Sequence, residues 1–151
     1  MTYQEFIASH KSRQRYWARN MLGFRHLLKT KPNSCHYSLL ELEKQNYFSG
    51  IVTQNVDRLH NFAGSHNVIE LHGNSYEVKC IKCGDITKRE DYQKSLEENN
   101  SEFLSHKSKL KNEIRSDGDA VINSGYEDFI IPNCLSCDGL LKPNVVFFGE
   151  S

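Results

Sequence analysis

Ile51-Val52-Thr53-Gln54-Asn55-Val56-Asp57-Arg58-Leu59-His60-Asn61-Phe62-Ala63-Gly64, followed three residues later by Val68-Ile69-Glu70-Leu71-His72-Gly73, is the stretch on which the fold turns. Ile51-Val52-Thr53 is a short β-branched run, the mark of a buried strand, and Gln54-Asn55 lies at its carboxyl end. A short helix from Asp57 to Ala63, closed by Gly64, is expected next, and then a second strand over Val68–Leu71 with His72-Gly73 just past it. This strand-helix-strand rhythm predicts an α/β fold with a parallel sheet. In such sheets ligands bind beyond the carboxyl ends of the strands, which is where both polar clusters fall.

Upstream, Lys31-Pro32-Asn33 punctuates the chain, and Asn33 or Ser34 can cap a helix that Gly50 follows. Its residues Cys35, Leu39 and Leu42 recur at helical spacing, with His36 and Leu40 alongside, so Cys35 is expected to be a small buried residue. Thr2 with Glu5 fits a capping box, and helical text runs on to about Leu28 with Gly23 as a weak point. Downstream, Tyr76–Cys80 alternates like an exposed strand. Residues 88–119 carry fifteen charges in thirty-two positions, which predicts a helical or partly disordered polar insertion extending to residue 130. Val145–Phe148 is the last strand candidate.

The 151 residues carry 19 Lys+Arg and 19 Asp+Glu, so no global field recruits nucleic acid or an anionic membrane, and neither is an expected partner. The basic bias of residues 1–40, seven basic against one acidic, reads as a solvated helix face rather than a leader peptide, because Phe6, Trp17, Met21 and Phe24 lie within it. A hydrophobic content of 38% permits a thin core, and no apolar run is long enough for a membrane span. Five cysteines argue against a fully paired disulfide framework.

Cys80-x-x-Cys83 and Cys134-x-x-Cys137 carry the strongest chemical signal. Two residues between thiolates let both sulfurs of a turn face one ion, and two such turns complete a closed tetrahedral zinc site, which favours a structural role over a catalytic one. A redox dithiol or a pair of disulfides are the competing readings. The polar clusters also have bland alternatives. Asn and Asp after a strand cap helices, and a single His after a strand is commonly structural.

Taken in order, Pro32-Asn33-x-x-His36, Thr53-Gln54-Asn55-Val56-Asp57-x-Leu59-His60, Ala63-Gly64, Glu70-Leu71-His72-Gly73, both Cys-x-x-Cys pairs and Leu141-Lys142-Pro143-x-Val145-Val146-Phe147-Phe148-Gly149-Glu150 resemble the sirtuins, NAD-dependent protein-lysine deacylases. Arg13–Asn20 and the form of the cysteine pairs look like the class II mitochondrial sirtuin-4 branch. The resemblance implies a partial Rossmann-like parallel sheet over residues 1–75, a zinc-binding module over 76–140 with its insertion at 88–130, and a return to the Rossmann-like domain over 141–151.

By that resemblance His72 is the general base, Gln54, Asn55 and Val56 lie along the ribose and nicotinamide end of NAD, and Asp57 meets the carboxamide. Cys80, Cys83, Cys134 and Cys137 hold one structural Zn2+. Val146, Phe147 and Phe148 wall an acyl-lysine tunnel, with backbone that adds a strand to the incoming peptide. The implied partners are acyl-lysine proteins, the implied location is the mitochondrial matrix, and ADP-ribosyltransferase or lipoamidase activity is a candidate addition. The family's Gly-rich phosphate turn does not precede Thr2, and its later strands do not follow Glu150. The expectation is therefore an internal fragment, inactive alone, with a truncated non-catalytic zinc-containing module as the alternative.

Overall fold

Thr2 and Glu5 satisfy each other's end groups in the computed structural model, which describes residues 1–107, 122 and 124–150. The Glu5 N–H donates to Thr2 Oγ1 at 3.2 Å and the Thr2 N–H donates to Glu5 Oε2 at 2.7 Å, the reciprocal capping box that starts α1 (Tyr3–Ala8). The helix breaks at Ser9, not at Gly23. Ser9 has an extended backbone and its hydroxyl accepts from the Ser12 N–H at 3.1 Å, so it caps α2 (His10–Leu27). Asn33 caps α3 (Ser34–Lys44) in the same way, its side-chain oxygen accepting from the Cys35 and His36 amides.

The expected strand-helix-strand unit is present. β1 (Ile51–Thr53) and β2 (Val68–Glu70) are parallel, with Ile51 opposite Val68 and Thr53 opposite Glu70, and α4 (Leu59–Ala63) crosses between them. Gly64, with φ 111°, terminates α4 in a left-handed conformation that costs glycine little. A second sheet is antiparallel, in the order β4-β3-β5, from β3 (Gly73–Cys80), β4 (Ile86–Lys88) and β5 (Leu141–Val145). α5 (Arg89–Asn99) and α6 (Ser101–Lys107) follow β4.

The core lies between the amino-terminal helices and this second sheet. Phe6, Trp17 and Met21 from α1 and α2 pack with Val78 and Cys80 of β3, Tyr92 and Leu96 of α5, and Leu141 of β5. Each of those large side chains removes roughly 1.5–3 kcal/mol worth of apolar surface from water.

Several expectations are corrected by this arrangement. β1 and β2 are not buried strands, because Val52 and Ile69 are 62% and 54% exposed on a sheet face that no described element covers. α3 buries none of its residues, and Cys35 is exposed rather than packed. β3 is no exposed strand. It sits between two partners and buries Asn74, Val78 and Cys80.

The start of the polar insertion is α5, whose Tyr92 and Leu96 belong to the core, so four-residue spacing matters more there than mean polarity. Residues 108–121 and 123 of the insertion lie outside the described residues. The last strand is Leu141–Val145, earlier than the expected Val145–Phe148. Pro143 is tolerated in it because β5 is an edge strand. Among the described residues no helix is long and apolar enough to cross a membrane.

Candidate functional site

Gln54, Asn55, Val56 and Asp57 leave the carboxyl end of β1 and together line one cleft of about 420 Å³, whose opposite wall includes Asn20 and Phe24 of α2. The turn is fixed locally. The Asn55 N–H donates to Thr53 Oγ1 at 3.0 Å, Asp57 Oδ1 accepts from the Leu59 N–H at 3.0 Å, and the Val56 carbonyl accepts from the Ser75 N–H at 2.8 Å. Gln54 and Asn55 are exposed, while Val56 and Asp57 are half-buried. The cleft sets the amide side chains of Gln54 and Asn55 and the Asp57 carboxylate along one wall, polar groups able to orient a small polar ligand.

His72 stands at the same end of the sheet. The Leu71 N–H donates to the Thr53 carbonyl at 2.9 Å, so the residue before His72 is tied to the residue before Gln54. His72 is half-buried and does not line the cleft; its carbonyl accepts from the Val146 N–H at 3.0 Å. His72 is thereby joined to the run that was expected to meet substrate. In that run the side chains alternate. Val146 and Phe148 are 48% and 82% exposed, whereas Phe147 turns inward onto Phe6 and Tyr16, with ring centroids 5.2 and 5.4 Å away.

The backbone of residues 146–148 is largely engaged already. Besides the Val146 N–H, the Phe147 N–H donates to Glu150 Oε2 at 2.9 Å, the Phe147 carbonyl accepts from the Glu150 N–H at 3.1 Å, and the Phe148 carbonyl accepts from the Tyr3 N–H at 3.0 Å. In this conformation a peptide strand has few backbone groups to pair with.

Cys80, Cys83, Cys134 and Cys137 converge from two knuckles with all four sulfurs within 4.8 Å of one another. Cys80 and Cys137 sulfurs are 3.5 Å apart, and Cys83 and Cys134 sulfurs are 3.8 Å apart. Thiolates bound at about 2.3 Å around a tetrahedral ion are separated by about 3.8 Å, so the donor set and its spacing fit zinc. The electrostatics agree. The Cys83 amide, against desolvation and with help from the Lys82 amide, holds the Cys80 thiol down at about 6. For Cys83 the lowering by the Asp85 amide is outweighed by the Cys137 and Cys80 sulfurs and by desolvation, and the thiol is raised to about 12. Thiols packed this closely ionise together only with a cation among them.

The family model described as the Sir2 family matches residues 1–151. The chain belongs to this family, the sirtuins. It is 44% identical over 153 residues to a Monosiga brevicollis protein named NAD-dependent protein deacylase SIR4, covering 100% of this chain and 50% of that one. It is 44% identical over 150 residues to Drosophila melanogaster NAD-dependent protein deacylase Sirt4, covering 99% and 47%. The solved structure of Sir2Tm bound to a propionylated peptide superposes with a TM-score of 0.69 at 33% identity, over 99% of this chain and 49% of its counterpart's length. The chain spans about half the length of the curated relatives it matches.

Two features of this sirtuin chain escaped the sequence reading. One is a charged network beside the cleft: Arg58 donates to both oxygens of Glu70 at 3.2 and 3.4 Å and to Glu77 at 3.2 Å, while Asn74 and Asn144 donate to the same carboxylates. Desolvation pushes the Glu77 carboxyl up, but Asn144, Asn74 and Arg58 more than offset it and leave it below the usual carboxylate range. The partners lie 12 and 19 residues apart, so no helical or strand spacing announces them. The other is a buried ion pair between Lys142 and Glu150. Their separation of eight residues looks in the sequence like two unrelated surface charges.

Proposed function

We propose that the protein carrying this chain is an NAD-dependent protein-lysine deacylase, with His72 as base and the four cysteines holding a structural zinc. The observation that carries this reading is the placement of Gln54–Asp57 and His72 at the carboxyl ends of the two neighbouring parallel strands, tied by the Leu71–Thr53 hydrogen bond. Membership in the sirtuin family supplies the chemistry that this geometry serves.

NAD, when bound, supplies the ribose carbon to which the acyl-lysine carbonyl oxygen adds as nicotinamide leaves. Gln54 and Asn55 orient the ribose and nicotinamide side, and Asp57 meets the carboxamide from the half-buried end of the turn. His72 takes the proton of a ribose hydroxyl on an imidazole nitrogen. Val146 and Phe148 contact the acyl-lysine chain. The zinc knuckles do no chemistry. They fix β3 against β5 through the pairing of Cys80 with Leu141, and thereby fix the segment after β5. Residence in the mitochondrial matrix is proposed on the branch resemblance.

The test is nicotinamide release from acyl-lysine peptides by the full-length protein with NAD. His72→Ala is expected to lower turnover by at least about a hundredfold. Equal turnover in the two proteins rejects the assignment.

A further inference from the structure

Lys142 is 6% exposed, an unusual place for an ammonium, and every direction around it is occupied. Its Nζ donates to the Val145 carbonyl at 2.6 Å, to Glu150 at 3.0 and 3.1 Å, and to the Pro143 carbonyl at 3.3 Å, and it lies 5.3 Å from the Phe147 ring centre. Glu150 answers from the other side of the turn, because the same Oε2 that meets Lys142 accepts the Phe147 N–H.

Between them Gly149 adopts φ 75°, and its carbonyl accepts from Gln4 Nε2 at 2.9 Å. The ion pair therefore closes a loop that runs from Lys142, near the start of β5, to Glu150, the residue after Gly149. A buried pair of this kind adds little net stability over apolar replacements of the same shape, but it imposes one geometry.

We propose that Lys142 is a positioning residue: its ammonium, clasped by Glu150, folds residues 145–150 so that Phe147 points into the core while Val146 and Phe148 face the acyl-lysine substrate. The proposal rests on the deacylase reading for the identity of that substrate. It does not rest on that reading for the fold of the loop. Without the clasp the loop keeps its backbone bonds and the contacts of Phe147 with Phe6 and Tyr16. It loses the ammonium that gathers the Pro143 and Val145 carbonyls and Glu150 around one point, and it samples positions in which Phe148 no longer faces outward.

The experiment uses the full-length protein and two variants, Lys142→Met and Glu150→Gln. The second keeps an oxygen for the Phe147 N–H and removes only the charge. Two readouts are taken, amide hydrogen exchange of residues 145–150 and steady-state kinetics with an acetyl-lysine peptide and NAD. Exchange in 145–150 is expected to rise at least tenfold in both variants, with bound zinc unchanged at one equivalent. The KM for peptide is expected to rise about tenfold while the KM for NAD and kcat change less than twofold.

Unchanged exchange in 145–150 overturns the clasp whatever the kinetics show. Raised exchange with an unchanged peptide KM overturns its link to substrate, as does an equal loss in kcat and in both KM values. Absence of nicotinamide release from the unsubstituted full-length protein rejects the deacylase reading and with it the substrate assignment, before any variant is compared, and the exchange readout still decides the loop.

Discussion

Arg58 and Glu70 are joined by two guanidinium bonds, at 3.2 and 3.4 Å, that link the turn after β1 to the last residue of β2. The bond holds the Asp57 turn beside the strand that delivers His72. Arg58 does this from a left-handed backbone with φ 57°, a conformation that costs a non-glycine residue roughly 1–2 kcal/mol. Arg58→Gly removes both the ion pairs and the strain, whereas Arg58→Ala removes only the ion pairs. In urea unfolding, Arg58→Ala is therefore expected to be less stable than Arg58→Gly by about 1 kcal/mol. Equal midpoints would show that the backbone at 58 is unstrained.

The same network sets a pH dependence. The folded-state pKa of Glu77 is depressed by Asn144, Asn74 and Arg58 acting against desolvation. Its contribution to stability is thus complete above the unfolded value of about 4.3 and is lost as pH falls through the lower folded value. Arg58→Ala removes one of the lowering partners, so the stability difference between wild type and variant is expected to shrink as pH drops below about 4. A difference that stays constant from pH 7 to pH 3 would mean that Arg58 does not act through this carboxylate.

At the metal centre, a Cβ on Gly139 would lie 2.7 Å from the Lys82 Cβ, 2.9 Å from the Cys80 sulfur and 3.1 Å from the Cys137 sulfur. Such an approach forces a knuckle to move. Gly139→Ala is expected to weaken zinc binding by on the order of tenfold or more in a chelator competition, while Gly84→Ala, which meets nothing within 4 Å, is limited to the backbone strain of its φ of 78°. Cys80→Ser should reduce bound zinc far below one equivalent and destabilise the β3–β5 pairing. Full zinc occupancy in Cys80→Ser would remove that cysteine from the ligand set.

The parts of this architecture legible in the sequence are those set by local rules. Thr2 with Glu5, Asn33 and Gly64 each act within one turn of chain, and the starts of α1 and α3 and the end of α4 lie where these residues put them. The two Cys-x-x-Cys knuckles were equally local, and only their meeting across more than fifty residues needed the fold. What misled was apolar content read as burial. Val52 and Ile69 form a strand pair as expected but face outward, and Cys35 sits on an apolar stripe that nothing described covers. Polarity read as exposure misled in the opposite direction at α5, where Arg89 and Gln93 are buried with Tyr92 and Leu96. Long-range charge partners such as Arg58 with Glu77, or Lys142 with Glu150, leave no periodic trace.

His60 lies next to the site and loses stability in the same direction as Glu77, on falling pH, but in a higher pH range. Its Nδ1 is buried without a partner among the described residues, and its ring is 4.8 Å from that of His36. Desolvation and the His36 charge lower its pKa, with Asp57 opposing. The fold thus prefers the neutral ring. Stability from this group is complete above the unfolded value of about 6.5 and falls as pH drops through the lower folded value. His60→Phe is expected to lose less stability than wild type between about pH 7 and pH 5.5 in urea titrations. Parallel losses in the two proteins would assign the acid sensitivity to the other histidines.

Asn20 and Arg89 make the sharpest stability prediction, because they invert the usual ranking of a neutral and a charged residue. Arg89 is 1% exposed, and its Nε and Nη2 both donate to Asn20 Oδ1, at 3.1 and 2.8 Å. Its guanidinium carbon lies 4.4 Å from the Phe24 ring centre and 5.5 Å from that of Trp17, and burial lowers its pKa to about 10, so it remains a cation at neutral pH. Asn20→Ala strips that cation of its acceptor and is expected to cost about 2–3 kcal/mol in urea unfolding. Arg89→Met removes the charge and keeps most of the volume against the rings, and its cost should be smaller, since an apolar replacement relieves the desolvation that a buried charge carries. Asn20 itself lines the cleft, so water can replace the lost donors. If Arg89→Met proves the more damaging of the two, ring stacking on the cation outweighs its desolvation, and Arg89 is a stabilising element of the core rather than a charge the fold tolerates.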